Sequence, residues 1–284
     1  MTDAVTDDSK AGTIRSVERA IAILKTFTGD SPEQTASEIC RKASLNKSTI
    51  HRFLKTLEAG GFVVQVEGSR RYRLGLGLVE LGNLALEHFE IREIARPFLR
   101  EAAHRSGASV HLAQLADREV IYIDKLDNSH SGVRINTTIG TRRPLHCTGL
   151  GKVLLAAMDQ STFEHIASTL DLRRYTPTTI GSLAELAEQC AQVRECGYAI
   201  DDGEFNELVK CVATPIHDRN NHVVAAISLA LPGVQVDSPR FREMIQVALD
   251  TVQTISAALG YRPKVMSQKN AGQKNTGQKN RRNE

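Results

Sequence analysis

Residues Thr35 to Leu57, TASEICRKASLNKSTIHRFLKTL, constrain the fold of this chain more than any other stretch. Thr35 and Glu38 have the T-x-x-E spacing of a capping box, which starts a helix. Ala36, Ile39, Cys40 and Ala43 recur at helical spacing and give that helix one apolar face. Ser44-Leu45-Asn46 then reads as a tight turn whose last residue can cap a second helix. The second helix places Ile50, Phe53, Leu54 and Leu57 on one side, and Lys47, Ser48, Thr49, His51, Arg52 and Lys55 outside it. Two short helices joined this way, the second apolar on one side and basic and hydroxylic on the other, suit a reader of the DNA major groove.

The flanking residues extend this module. A helix is expected from an N-cap at Ser16, with Val17, Ala20, Ile21, Leu24 and Phe27 in step, ending at Gly29-Asp30-Ser31-Pro32. After Gly60-Gly61, the runs Phe62–Val66 and Tyr72–Leu74 read as a β-hairpin turning at Glu67-Gly68-Ser69. Its tip and return strand carry Arg70, Arg71 and Arg73. A helix-turn-helix followed by a basic hairpin is a winged helix-turn-helix, with the wing set to contact phosphates. The DNA-facing set is therefore Thr35, Lys47, Ser48, Thr49, His51, Arg52, Lys55, Arg70, Arg71 and Arg73. Arg52 has the donor geometry for guanine O6/N7. Without the turn, the capping box and the wing, the same arc would read equally well as a solvated basic face.

Charge follows the same division. Residues 11–75 hold 11 Lys and Arg against 6 Asp and Glu, and residues 262–284 hold 7 against 1. Residues 76–261 hold 17 against 23, so the two ends suit a polyanion and the long middle does not. No apolar run approaches the ~18 residues of a membrane span. The start, MTDAVTDDSKAG, lacks the apolar core of a signal peptide, so a cytosolic protein is expected.

Five cysteines with no CxxC pair argue against a disulfide framework or a Cys-rich zinc site, and no HxH or HxxxH pair suggests a metal. Neither His146-Cys147 nor Cys211 carries a signature of an activated nucleophile. With GxSxG, Walker A and HExxH motifs also missing, neither catalysis nor a cofactor is expected.

The remainder predicts a connector helix over Leu76–Phe89, then an amphipathic helix over Ile91–Arg105 that Pro97 should kink or restart. Strands are expected at Ala108–Leu115, Glu119–Leu126 and Gly132–Thr138. Helices follow at Gly149–Met158, Gln160–Thr169 and Ser182–Glu195. Strands resume at Tyr198–Asp202, Val209–Asp218 and His222–Leu231, and a long helix over Pro239–Leu259 closes the domain. Hairpins at both ends with helices between them argue for an α+β domain built on an antiparallel sheet. Residues 1–12 read as a disordered leader, and residues 263–284, with QKN at Gln268, Gln273 and Gln278, as a disordered basic tail.

Several motifs, in order, resemble the IclR family of bacterial transcriptional regulators. SVERAIAILKTF, TASEICRKASLNKSTIHRFLKTLEAGGFV and RRYRLGLGLVELG resemble its DNA-binding half. RRPLHCTGLGKVLLA, ECGYAIDDGEF and VKCVATPIHDRNNHVVAAISLALPG resemble its effector-binding half. The likeness runs from about Ile14 to Gly260. It implies a winged helix-turn-helix over 13–75, a linker helix over 76–90 and a GAF-like ligand domain over 91–262. It also implies a homodimer, often paired into a tetramer, on a palindromic double-stranded operator of a catabolic operon. A repressor is the favoured form, and an activator would add RNA polymerase as a partner. The effector implied is a small carboxylate or sugar acid. The segments IYIDKLD and LGY are nearest the subgroup sensing 2-keto-3-deoxygluconate.

The resemblance places effector contacts at Gly149-Leu150, Asp201, Cys211, Ser228 and Ala230, and the helix start adds Thr148. Leu150 is bulkier than the family's usual alanine, Ala230 lacks a hydroxyl, and Leu208 stands where glycine is common. A helix N-terminus with glycines suits a carboxylate, though spacing alone fits a structural loop glycine at Gly149 equally well. Cys211 reads also as a buried apolar thiol, and Asp201-Asp202 as a turn pair at a strand end.

Overall fold

The computed structural model describes residues 14–87, 90–127 and 137–262. The expected leader, the basic tail and most of the expected strand Gly132–Thr138 lie outside these residues, and Thr137 and Thr138 carry no strand. The chain divides between residues 89 and 90 into two compact units.

The first unit holds α1 (Arg15–Leu24), β1 (Gln34–Thr35), α2 (Ala36–Ala43), α3 (Lys47–Ala59), β2 (Val63–Gln65), β3 (Arg71–Leu74) and α4 (Leu76–Glu87). The capping box at Thr35 forms, with its hydroxyl 3.3 Å from the Glu38 amide and Glu38 Oε2 2.7 Å from the Thr35 amide. Ser44 takes a left-handed conformation (φ 54°) that stops α2. Asn46 then caps α3 by accepting from the Thr49 amide at 2.9 Å. Ile23, Phe27, Ile39, Ile50, Leu54, Leu57 and Val63 close one core. Each such side chain contributes about 1.5–3 kcal/mol when fully buried.

Two expectations change in this unit. α1 starts one residue before Ser16, with Ile14 at its cap position and no side-chain cap, and it ends at Leu24, short of Phe27. The hairpin is joined by a third strand, β1, in the order β1-β3-β2. Two residues are too short to show an alternating pattern, so β1 is invisible in the sequence.

The second unit starts with α5 (Glu90–Ser106), β4 (Ser109–Ala116), β5 (Glu119–Leu126) and β6 (Arg142–Pro144). Helices α6 (Gly149–Ala156), α7 (Gln160–Ala167) and α8 (Leu183–Cys196) follow. Then come β7 (Ala199–Asp202), β8 (Val209–His217), β9 (Val223–Pro232) and α9 (Pro239–Ala258). The sheet is antiparallel throughout, in the order β6-β5-β4-β9-β8-β7. The two hairpins therefore meet along β4 and β9, far apart in sequence. Helices α5 and α9 pack together and on the sheet, and α6 packs on β7, β8 and β9 with α8 beside it. All eight residues of α6 are buried, which its nearly continuous apolar sequence requires.

Pro97 neither restarts nor breaks α5. The proline removes one helix hydrogen bond, but Ile91, Ala95, Leu99 and Ala102 are buried on either side of it, so packing holds the helix continuous. The partner of β5 is β6, which was not expected: three residues ending in proline show no alternation, and proline is tolerated on an edge strand.

Candidate functional site

In the first unit, Ile50, Leu54 and Leu57 anchor α3 in the core. That leaves Lys47, Ser48, His51, Arg52 and Lys55 exposed along one side, with Thr49 half-buried beside them. Thr49 and Arg52 border a groove shared with Ser16 and Arg19 of α1. Arg70 and Arg73 are exposed at the hairpin. Three of the sequence-derived residues are engaged internally, among them Ser48, whose hydroxyl donates to Asn46 Oδ1 at 3.0 Å. The Thr35 hydroxyl is spent on the capping box. Arg71 donates to the Glu33 carbonyl at 3.0 Å and lies 3.7 Å from the Glu38 carboxylate, so it ties the wing to α2. The remaining face is a helix of free donors and cations with a basic hairpin nearby, as phosphate and base-edge contacts need.

In the second unit, Thr148, Gly149, Leu150, Asp201, Cys211, Ser228 and Ala230 surround one cavity of about 350 Å³. They come from four elements, the start of α6 and the strands β7, β8 and β9. Strand register brings them together: Asp201 faces Cys211, Cys211 faces Ala230, and Ser228 sits two residues from Ala230 on the same face of β9. The start of α6 closes the cavity from above the sheet. A Cβ on Gly149 would lie 3.1 Å from Ala213 Cβ and 3.2 Å from Cys211 Sγ, so glycine lets the helix start sit against β8. Thr148 caps α6 by accepting from the Gly151 amide at 3.1 Å and donates to the Pro144 carbonyl at 2.9 Å, so its hydroxyl is fully used.

Sequence reasoning missed part of the wall. His111, Tyr122, Thr137, Arg143 and Phe205 also line the cavity, with Asn206, Leu208 and Val209 at the β7–β8 side. His111 belongs to an alternating strand, and that alternation was the available signal. Tyr122 could not be aimed from sequence, because a bulge in β5 opposite Leu112 and Ala113 shifts which residues face the cavity.

The electrostatics of the wall follow from burial. Asp201 Oδ1 accepts from the Glu204 amide at 2.7 Å. Even so, burial, and then the charge of Glu204, push its carboxyl up to about 7. Burial also raises Glu204, whose carboxylate is bound by the buried Lys152 ammonium. Burial pushes the Cys211 thiol well above its ordinary range, and a nearby Asp201 charge adds to this. A thiol held protonated is a poor nucleophile. His111, also buried, is lowered to about 4 and stays neutral near pH 7. The cavity thus presents hydroxyls, one carboxyl, one thiol and one guanidinium to a small polar molecule.

Residues 83–257 match the family described as bacterial transcriptional regulator IclR C-terminal, and residues 16–67 match the IclR helix-turn-helix domain. The chain belongs to the IclR family. Like the other regulators of the family, it is a DNA-binding transcriptional regulator. It is 37% identical to the HTH-type transcriptional regulator XynR of Escherichia coli K12, over 87% of this chain and 98% of the relative. With HTH-type transcriptional regulator KdgR of the same strain it shares 33% identity over 89% of this chain and 96% of KdgR. An IclR regulator from Alicyclobacillus acidocaldarius superposes with a TM-score of 0.77 at 30% identity, covering 87% of this chain and all of that one (100%). An IclR homologue from Microbacterium hydrocarbonoxydans complexed with 4-hydroxybenzoate gives 0.75 at 27% identity, over 86% of this chain and 98% of that one. The curated relatives are transcriptional regulators and not enzymes. Among the described residues no helix is long and apolar enough to cross a membrane.

Proposed function

We propose that this IclR-family protein is a ligand-responsive repressor of a catabolic operon. Residues 13–75 read a palindromic operator, 76–90 link, and 91–262 bind a small carboxylate or sugar acid, with 2-keto-3-deoxygluconate as the leading example. The observation that carries the reading is the convergence of Gly149, Asp201, Cys211 and Ser228 on one cavity lined by both polar and apolar groups. Cavities of this size and mixed lining are the usual form of small-molecule sites.

A second copy of the chain is part of the proposal. Leu76, Val79, Leu81 and Leu84 of α4 are each more than half exposed, as is Val17 of α1. A helix apolar over most of its circumference needs a partner surface, and a palindromic site needs two copies of α3. Replacing Leu81 and Leu84 with Glu is expected to shift sedimentation equilibrium toward monomer and to weaken operator binding with it.

The test of the function combines operator binding, by fluorescence anisotropy, with a panel of sugar acids, glyoxylate, pyruvate and aromatic acids. We expect one of them to release the operator and to raise the melting temperature of the free protein. Operator binding that no acid alters would support constitutive DNA binding. Turnover of an acid would support catalysis. An aromatic acid is the second reading, favoured by the Phe205 ring in the wall and by the 4-hydroxybenzoate bound to the Microbacterium homologue.

A further inference from the structure

The polar groups of the cavity are not equally occupied. Most are spent on the protein itself. Thr148 caps α6 and donates to the Pro144 carbonyl, and His111 meets Thr137 on one nitrogen and Ser228 on the other. Tyr122 is an exception. It is 8% exposed, it lines the cavity, and among the described residues its hydroxyl has no hydrogen-bond partner. Facing the cavity, that hydroxyl remains available to a ligand.

Arg143 is the second exception. Among the described residues it is the only lysine or arginine lining the cavity, and it forms no ion pair with any of them. Its guanidinium makes one bond, to the Arg142 carbonyl at 3.1 Å, and lies over the Phe205 ring, 4.7 Å from the centroid. The stacking fixes the plane of the fork while leaving donors free, the state in which Arg takes a carboxylate with two parallel hydrogen bonds. The strands bring the two residues together. Arg143 faces Val120 across β6 and β5, and Tyr122 is two residues further along the same face. Diagonal neighbours of this kind are within reach of an aromatic and a long side chain.

The opposite end of the cavity is poorly suited to an anion. The amide of Gly149 is directed at Cys211 Sγ and the Gly151 amide is capped by Thr148, which leaves the Leu150 amide as the one donor of the helix start without a partner among the described residues. Asp201 stands beside them, with its second oxygen 3.9 Å from the Cys211 thiol. A carboxylate placed there would face another carboxyl group. A ligand hydroxyl placed there would find both a donor and an acceptor.

We propose that Arg143 and Tyr122 are the carboxylate-binding end of the cavity, so that an acid effector lies with its carboxylate on the guanidinium and its hydroxyls toward Asp201. This orientation rests on the reading that the cavity holds a small acid. It is the reverse of the one expected from the helix start at Gly149. It makes residue 143 the determinant of acid over neutral ligands.

The test is calorimetry on the full chain with 2-keto-3-deoxygluconate, D-gluconate and 4-hydroxybenzoate, each against an uncharged counterpart: the lactone of the first, sorbitol, and 4-hydroxybenzamide. Wild type is expected to prefer at least one acid over its counterpart. Arg143→Gln should weaken that acid at least about tenfold, leave the neutral compound unchanged and so abolish the preference, as loss of a charge-assisted pair implies. Arg143→Lys should restore part of it, and Tyr122→Phe should weaken the acid with a smaller effect. The unliganded melting temperature, read for every variant, separates lost binding from lost folding. Should Arg143→Gln not fold, Tyr122→Phe and Arg143→Lys carry the test, and wild-type acid affinity in both would overturn the proposal. If Arg143→Gln binds the acid as wild type does while Asp201→Asn with Ser228→Ala does not, the cavity reading stands and this orientation is wrong. If no acid binds wild type, the cavity reading falls and this inference with it.

Discussion

His111 lies directly opposite Ser228 across β4 and β9, with its Nδ1 3.4 Å from the serine hydroxyl and its Nε2 3.0 Å from Thr137 Oγ1. The ring is buried, and burial lowers it to about 4 from an ordinary 6.5. The unfolded chain therefore binds a proton that the folded chain refuses between these values. Stability from this group is present above about 6.5 and is lost as pH falls toward 4. Asp201 acts in the opposite sense. Its folded value of about 7 exceeds the ordinary 3.8, so the folded chain holds the extra proton, and stability is lost as pH rises from about 4 through 7. The two slopes oppose each other between about pH 4 and 6.5. We expect Asp201→Asn to make stability rise more steeply with pH there than in wild type, and His111→Gln to make it fall. Urea midpoints across that range test this, and parallel curves for wild type and Asp201→Asn would reject it.

Lys152 and Glu204 form a buried pair, with side chains 1% and 8% exposed. Glu204 Oε2 has no partner among the described residues, whereas Lys152 Nζ also donates to the Ile200 carbonyl and to Gln189 Oε1, so the carboxylate depends on its single contact with the ammonium. Removing one member strands a charge in an apolar site, at a cost of about 3–5 kcal/mol. Lys152→Met and Glu204→Gln should each be destabilising on that scale in urea unfolding. Replacing both with Met and Leu should recover most of the loss. A double variant as unstable as the sum of the singles would show that the pair is not isolated.

Gly151 matters more for folding than Gly149. A Cβ at Gly151 would lie 2.1 Å from the Leu145 carbonyl oxygen and 2.5 Å from its Cα, and backbone cannot yield as a side chain can. Gly151→Ala is expected to cost about 3 kcal/mol or more, at the upper end of overpacking effects. At Gly149 the nearest atoms are side-chain atoms of Ala213 and Cys211, so Gly149→Ala should cost about 1 kcal/mol while narrowing the cavity. Thermal unfolding of both variants gives the comparison.

On the DNA side, Arg52 and Arg73 should fail differently. Arg52 is exposed on α3, and Arg73 on the hairpin. Arg52→Ala is expected to cost about 1–3 kcal/mol and to relax preference at one base pair. Arg73→Ala should weaken all sequences alike and reduce the salt slope by about 1. Binding to a selected operator and to single-base variants at several salt concentrations distinguishes the two. Arg71→Ala should instead loosen the wing itself, through loss of its contacts with Glu33 and Glu38.

Most of this protein is written locally. The capping box, the turn at Ser44 and the apolar positions of α2 and α3 are set by residues within a few positions of one another, so the helix-turn-helix is legible without a structure. Long strands such as β5 and β9 show their pattern for the same reason. The motif resemblance went further and named residues of the cavity from four separate elements. What the sequence could not contain is register. The bulge that aims Tyr122, the edge strand that brings Arg143 beside it, and the pairing of β4 with β9 that sets His111 on Ser228 are all relations between segments far apart in the chain. Arg71 illustrates the converse, since it carries a DNA-binding chemistry that a tertiary contact with the Glu33 carbonyl spends on the protein itself. Sequence determined which side chains are available. Tertiary structure decided which remain free, because a polar group satisfied within the fold has little left to offer a ligand.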